Sequence, residues 1–314
     1  MEEVRRHTLP DALETLADRY DAVLGVRDQF LWKWFHLLNP YFRLSSVAPE
    51  YESKVRDDKT LLMFYLTLLD DLMDQRGDRA TFREAARLPF EPRRVDFDGE
   101  DVDEQCLGLA YDVWDEFERS IEEAPRCEEF RPLFGYDLRQ VLCGVRYPAV
   151  VNAYPQAANL TEAYAYDAHN MAMFAFASVD LMHSPEFDPA ELSSLRRYLW
   201  TAQRMARIGN WVTTWRRELV EGDLSSGVLI YAYENGLVDD EELRRLRTGP
   251  DPAVVDAISE RIERAGVRET LIEDWDAYYE RLEEADRLES VDVDRLLDGM
   301  SVVFQFHFGS EGLK

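Results

Sequence analysis

Apolar residues recur at three- and four-residue spacings through most of the chain, and no stretch sustains the alternation of a half-buried strand. The pattern predicts a first helix from Leu9-Pro10 to about Leu38, stopped before Asn39-Pro40. A second should run over about 57–75 and close at Gly77. After an arginine-rich connector, "EPRRVDFDGED", helices are expected at 101–123 and 136–146. Another should start near Leu160, capped by Thr161, and reach about 182. The loop "SPEFDPAELSS" feeds a long helix over 189–220, followed by shorter ones at 226–235, 238–247, 252–264, 268–287 and 291–307. Nothing repeats and no linker is long, so the expected architecture is one all-α domain over residues 1–314.

One of these helices departs from a simple amphipathic pattern. "LLMFYLTLLDDLMDQRGD", residues 61–78, runs a largely apolar segment straight into Asp70, Asp71 and Asp74. Asp70 and Asp74 are four apart and share a helix face, an arrangement that is destabilising unless a cation lies beside them. A hard cation such as Mg²⁺ takes one or two carboxylates, waters and substrate phosphate oxygens. In a chain this rich in aspartate a DDxxD arises by chance about 0.3 times, so it decides little alone.

A second stretch changes the weighing. In "RIGNWVTTWRRELVEGD", residues 207–223, Asn210, Thr214 and Glu218 fall on one face of the long helix, one turn apart. An amide, a hydroxyl and a carboxylate oxygen so spaced suit a second Mg²⁺ site. With asparagine scarce, chance NxxxTxxxE patterns are expected only about 0.05 times.

Composition narrows the partners. The formal net charge is −27, from 63 acids against 36 bases. Such a surface repels nucleic acid and anionic membrane. Only Lys33, Lys54, Lys59 and Lys314 are lysines, and acid excess with scarce lysine is the signature expected of a halophilic protein. No apolar run is long enough for a membrane span, and the N-terminus lacks signal-peptide character, so a cytoplasmic protein is expected. Cys106, Cys127 and Cys143 form neither a metal-ligand motif nor an even disulfide set and should be reduced and mostly buried.

Taken together, DDxxD and NxxxTxxxE, 140 residues apart from Asp70 to Asn210, resemble the class I terpene synthases of the microbial single-α-domain type. "RELVEGDLSSGV" extends the likeness, with Arg217 where that family usually has lysine. The resemblance implies a helical bundle around a central apolar pocket. Asp70, Asp71, Asp74, Asn210, Thr214 and Glu218 would serve as metal ligands, with Asp71 the most suited to pairing with a basic group. Three Mg²⁺ would hold an isoprenyl diphosphate whose tail points inward, in a monomer or homodimer. Arg217 would bind diphosphate. Aromatic candidates for lining the pocket are Phe64, Tyr65, Phe174, Phe176, Trp211, Trp215 and Phe304.

Two departures from the family pattern stand out. Many members carry an arginine about 45 residues before the triad, where this chain reads "TEAYAYDAHNMAMF". An ungapped count sets Tyr164 there, with Asp167 and Ala168 following, and Asn170 or His169 as substitutes for diphosphate contact. The family's C-terminal Arg-Tyr pair is also absent, leaving His307, Ser310 and Lys314 as candidates to close over the diphosphate. Two other readings remain at this point: a trans-isoprenyl diphosphate synthase on the same fold, and a non-catalytic acidic helical binding protein.

Overall fold

A computed structural model describes residues 1–249 and 251–311. Every regular element among them is helical. In chain order these are α1 (Glu2–Arg6), α2 (Asp11–Val23), α3 (Phe30–Leu38), α4 (Glu52–Asp74), α5 (Arg79–Ala85), α6 (Glu104–Glu122), α7 (Cys127–Ala153) and α8 (Leu160–Ala165). They continue with α9 (Met173–Met182), α10 (Leu192–Glu221), α11 (Gly227–Glu234), α12 (Asp240–Thr248), α13 (Pro252–Arg264), α14 (Val267–Glu283) and α15 (Val293–Gly309). The all-α expectation therefore holds.

Three boundaries differ from expectation in ways that matter. The helix expected up to Leu38 is two, α2 and α3, parted where Gly25 adopts φ +63°, a left-handed conformation glycine takes without a Cβ clash. The helix expected over 160–182 is broken into α8, a 3₁₀ turn over Asp167–Met171, and α9. Ala172 joins the last two at φ +52°, costing about 1 kcal/mol for a residue with a Cβ. In the third, α7 runs well beyond 136–146 in both directions, through Pro132 and Pro148.

The helices α4 and α10 are the two central members. The first packs on α3, α5, α6, α7 and α9; the second on α9, α11, α13, α14 and α15. One buried apolar cluster runs from Val4 to Met300. Trp32 of α3 stacks on Phe64 of α4 at 3.9 Å between ring centroids, with both fully enclosed. Offset stacking of this kind adds to area burial.

A buried ion pair fixes the lower end of the bundle. Lys59 Nζ lies 2.7 Å from Asp180 Oδ2, and neither side chain is exposed. The ammonium also donates to the Phe42 carbonyl at 3.3 Å and sits 5.2 Å above the Phe42 ring, while Asp180 accepts from the Leu44 amide at 3.0 Å. Each charge is therefore paired and hydrogen-bonded, which such burial requires. The arrangement ties the Asn39–Phe42 turn to α4 and α9. As for the thiols, Cys106 and Cys127 are buried but Cys143 is exposed.

Candidate active site

A cavity of roughly 630 Å³ lies between α3, α4, α7, α10, α15 and the 167–173 segment. Its lower walls are apolar: Leu31, Met63, Leu66, Met173, Met300 and Val303. Phe35, Phe42 and Phe176 close its floor, with ring centroids 5.3 to 6.0 Å apart. Met63 and Asp70 lie on one face of α4, and their separation of seven positions gives the cavity a depth of about 10 Å along that wall.

The mouth is polar and draws on two helices. Asp70 and Asp74 reach it from the last turn and a half of α4, and Asn210, Thr214 and Glu218 from α10. Arg207, one turn before Asn210, joins the same wall. Its Nε and Nη2 donate to Asp167 at 2.6 and 2.8 Å, and its Nη1 donates to Asn210 Oδ1 at 2.8 Å. Asn170 Nδ2 donates to Asp70 Oδ1 at 3.1 Å. The 3₁₀ turn can carry Asn170 this close to α7 because residue 144 is glycine: a Cβ there would stand 2.8 Å from the Asn170 amide nitrogen. The turn after α10 is pinned by Asn152, whose Nδ2 donates to Asp223 Oδ1 at 3.0 Å and whose Oδ1 accepts from the Leu224 amide at 2.8 Å.

Acid repels acid across this mouth. Burial, then Asp70, Asp223 and Asp167, push the Asp74 carboxyl up to about 9, with Arg207 opposing. Burial and Asp223 push Glu218 up to about 7, again against Arg207. Asp70 is raised chiefly by burial, although its side chain keeps 23% exposure toward the cavity. Asp223 acts on Asp74 of α4 and on Glu218 of α10 alike, so the two acidic rows share one electrostatic space. Glu218 Oε2 is buried with no hydrogen-bond partner, an orphan acceptor that a cation would satisfy. Among the described residues no three His, Cys, Asp or Glu side chains converge as a ready-made metal cage. A hard divalent ion here would complete its shell with the amide and hydroxyl oxygens of α10, water and phosphate.

Residues 61–247 match the model of a family described as terpene synthase family 2, C-terminal metal binding. That span is more than half of the chain and contains both acidic rows. The chain belongs to terpene synthase family 2. A search of curated proteins finds no match.

Within this terpene synthase several expected site residues stand elsewhere. Asp71 is fully enclosed and turned from the cavity: Arg27 Nε and Nη2 donate to its Oδ1 at 2.8 and 2.6 Å, and the Tyr20 hydroxyl donates to Oδ2. It is one residue from Asp70 and so about 100° around the helix. Phe64 is spent on Trp32. Phe174 packs edge-on against Trp200 with the Arg196 guanidinium over its face, on the side of α9 away from Phe176. Trp211 is buried beneath α10, where its Nε1 donates to Asp167 at 3.2 Å. Tyr164 packs with its ring tilted against Trp211 and directs its hydroxyl to Asp274 at 3.4 Å. Asp167 reaches the cavity only through Arg207. None of these six lines it. Neither do Tyr65, whose hydroxyl caps the Ala85 carbonyl at 2.7 Å, Trp215, Phe304, which stacks on Trp275, or His169 beside Gln203.

Asn170, Arg217, His307 and Phe176 do line it. Ser310 bonds back to the Phe306 carbonyl, and Lys314 lies outside the described residues. Sequence reasoning missed Arg207, Asp223, Asn152, Arg27 and Arg247, all on the cavity wall of this terpene synthase. For Arg207 a signal existed: it is three residues before Asn210, on the same helical face. No helix among the described residues is long and apolar enough to cross a membrane.

Proposed function

We propose that the whole chain acts as one Mg²⁺-dependent catalytic unit that ionises an isoprenyl diphosphate and converts the allylic cation to a terpene, releasing diphosphate. The observation that carries this reading is that two rows of oxygen-bearing side chains, one from α4 and one from α10, meet at the mouth of one cavity with an apolar lower part. Asp70 and Asp74 would hold metal on one side, and Asn210, Thr214 and Glu218 on the other, with three ions bound alongside diphosphate. The metal supplies charge neutralisation as the diphosphate departs. Arg217 and Arg247 add fixed positive charge at the rim for the same leaving group. The tail would lie against Leu66, Met63 and the phenylalanine floor, where water, which would quench a carbocation, is excluded. Trp34, Phe35, Phe42 and Phe176 present ring faces or edges to that space, and a desolvated ring face stabilises a cation by about 1–2 kcal/mol.

The test is a product assay by gas chromatography and mass spectrometry. The protein meets geranyl, farnesyl and geranylgeranyl diphosphate with Mg²⁺, separately and then with isopentenyl diphosphate. A hydrocarbon or alcohol from an allylic substrate alone is the expected result, with farnesyl or geranylgeranyl diphosphate as that substrate. A longer diphosphate formed only with isopentenyl diphosphate would make the protein a chain-elongating synthase. Silence from folded protein across the panel would remove the reading.

The floor gives a further expected outcome in the same assay. Phe176→Leu should lengthen the cavity without the cost of a full truncation, about 3 kcal/mol or more for Phe to Ala in a core. Product ratios, or the preferred chain length, should shift several-fold. An unchanged profile would show that Phe176 does not shape the reacting tail.

A further inference from the structure

Of the arginines at the mouth Arg207 is the most buried, with 8% of its side chain exposed, against 14% for Arg27, which stands beside Asp70 and Asp71, and 34% for Arg217. A guanidinium stays charged in proteins and has five N–H donors in a fixed fork. Two of these are committed to Asp167, a carboxylate with no exposure at all. A third is committed to Asn210 Oδ1 at 2.8 Å. That oxygen is the donor atom the triad would offer a metal. The guanidinium also opposes the raised carboxyls on both walls, Asp70 and Asp74 as well as Glu218. One cation of the chain itself therefore stands among acids from α4, the 3₁₀ turn and α10, bonded to the oxygen an external cation would need.

We propose that Arg207 is a resident counter-cation which holds Asn210 in the substrate-free protein and excludes metal from the α10 site until an anionic group draws it away. This builds on the metal–diphosphate reading above. A divalent ion at Asn210 Oδ1 would share that oxygen with a guanidinium N–H and meet its full charge at short range. Bare metal thus competes with a fixed charge and loses. Diphosphate changes the balance by adding anionic oxygens that attract both cations. Arg207 acts here as a positioning residue, and Asp167 sets its position by holding its fork.

The proposal is tested by Mn²⁺ binding, followed by electron paramagnetic resonance of free Mn²⁺, on protein without any isoprenyl substrate. Arg207→Gln alone would strand Asp167 as an unpaired buried charge, so the informative pair is Asp167→Asn and the double variant Asp167→Asn/Arg207→Gln, in which two amides replace the ion pair. Thermal melts establish that both are folded. The double variant should bind Mn²⁺ at least about tenfold more tightly than Asp167→Asn, with the native protein between them. Addition of inorganic diphosphate should remove that advantage, because Arg207 then helps rather than hinders. Equal Mn²⁺ affinities in the single and double variants would overturn the proposal while leaving the metal site itself standing. No Mn²⁺ uptake by any of the three proteins, with or without diphosphate, would overturn both.

Discussion

Asp70→Asn and Glu218→Gln should each lower turnover of the proposed isoprenyl diphosphate substrate by about 10³-fold, as expected for loss of one group that stabilises charge in the transition state, while the fold survives. Asn at 70 still accepts the hydrogen bond that Asn170 now gives Asp70, and Arg27 keeps its shorter partner, Asp71. Gln at 218 removes a buried charge whose Oε2 has no hydrogen-bond partner. Asp71→Asn should behave in the opposite way. It breaks the enclosed contact with Arg27 and Tyr20 and costs about 3 kcal/mol of stability, with activity falling only as the protein unfolds. Parallel measurement of kcat and of urea midpoints separates the two classes. If Asp70→Asn and Glu218→Gln both keep native turnover, the proposed metal chemistry has no ligands and fails.

That contrast between neighbours shows what the sequence could reveal. Helical phase alone separates Asp70 and Asp74 from Asp71, because adjacent residues point about 100° apart. The same arithmetic set Asn210, Thr214 and Glu218 in a row, and the structure brings that row to the cavity. Phase fails where a residue's direction is relative to tertiary neighbours. Phe174 and Phe176 are two apart on a helix buried on all sides, and nothing in the chain tells which of them meets the cavity. The break at Ala172 was equally hidden, since no glycine or proline marks it. The 3₁₀ turn that leads into Ala172 packs closely on Gly144 through Tyr166, His169 and Asn170, and the alanine that follows takes a left-handed conformation that local propensity disfavours. Arg207 was legible by its spacing but not by its role, which depends on Asp167 arriving from a turn that periodicity had drawn as continuous helix.

In the absence of metal, the protein should lose stability as pH rises, and Mg²⁺ with inorganic diphosphate should restore it most at alkaline pH. Glu218 ionises near 4.5 in the unfolded chain and at about 7 in the fold, for burial and Asp223 disfavour its charge. Below pH 4.5 both states hold the proton and the group is neutral toward folding. Between 4.5 and 7 the native state keeps a proton the unfolded state has lost, so stability falls with rising pH and levels off above 7, lower by about 3 kcal/mol. Asp74, pushed up to about 9 in the fold, extends the decline into the alkaline range. Metal binds the deprotonated forms and so competes with these protons. At ligand concentrations near 100 times Kd the gain is about 2.7 kcal/mol, a rise in Tm of roughly 5 °C for a chain of this size. That rise should appear at pH 8, shrink to about 1–2 °C at pH 6, and largely vanish in Glu218→Gln at either pH. Calorimetry in chelator and in Mg²⁺ with diphosphate decides the matter: a gain in Tm of equal size at both pH values would mean that the ligands bind somewhere other than between these two acidic rows.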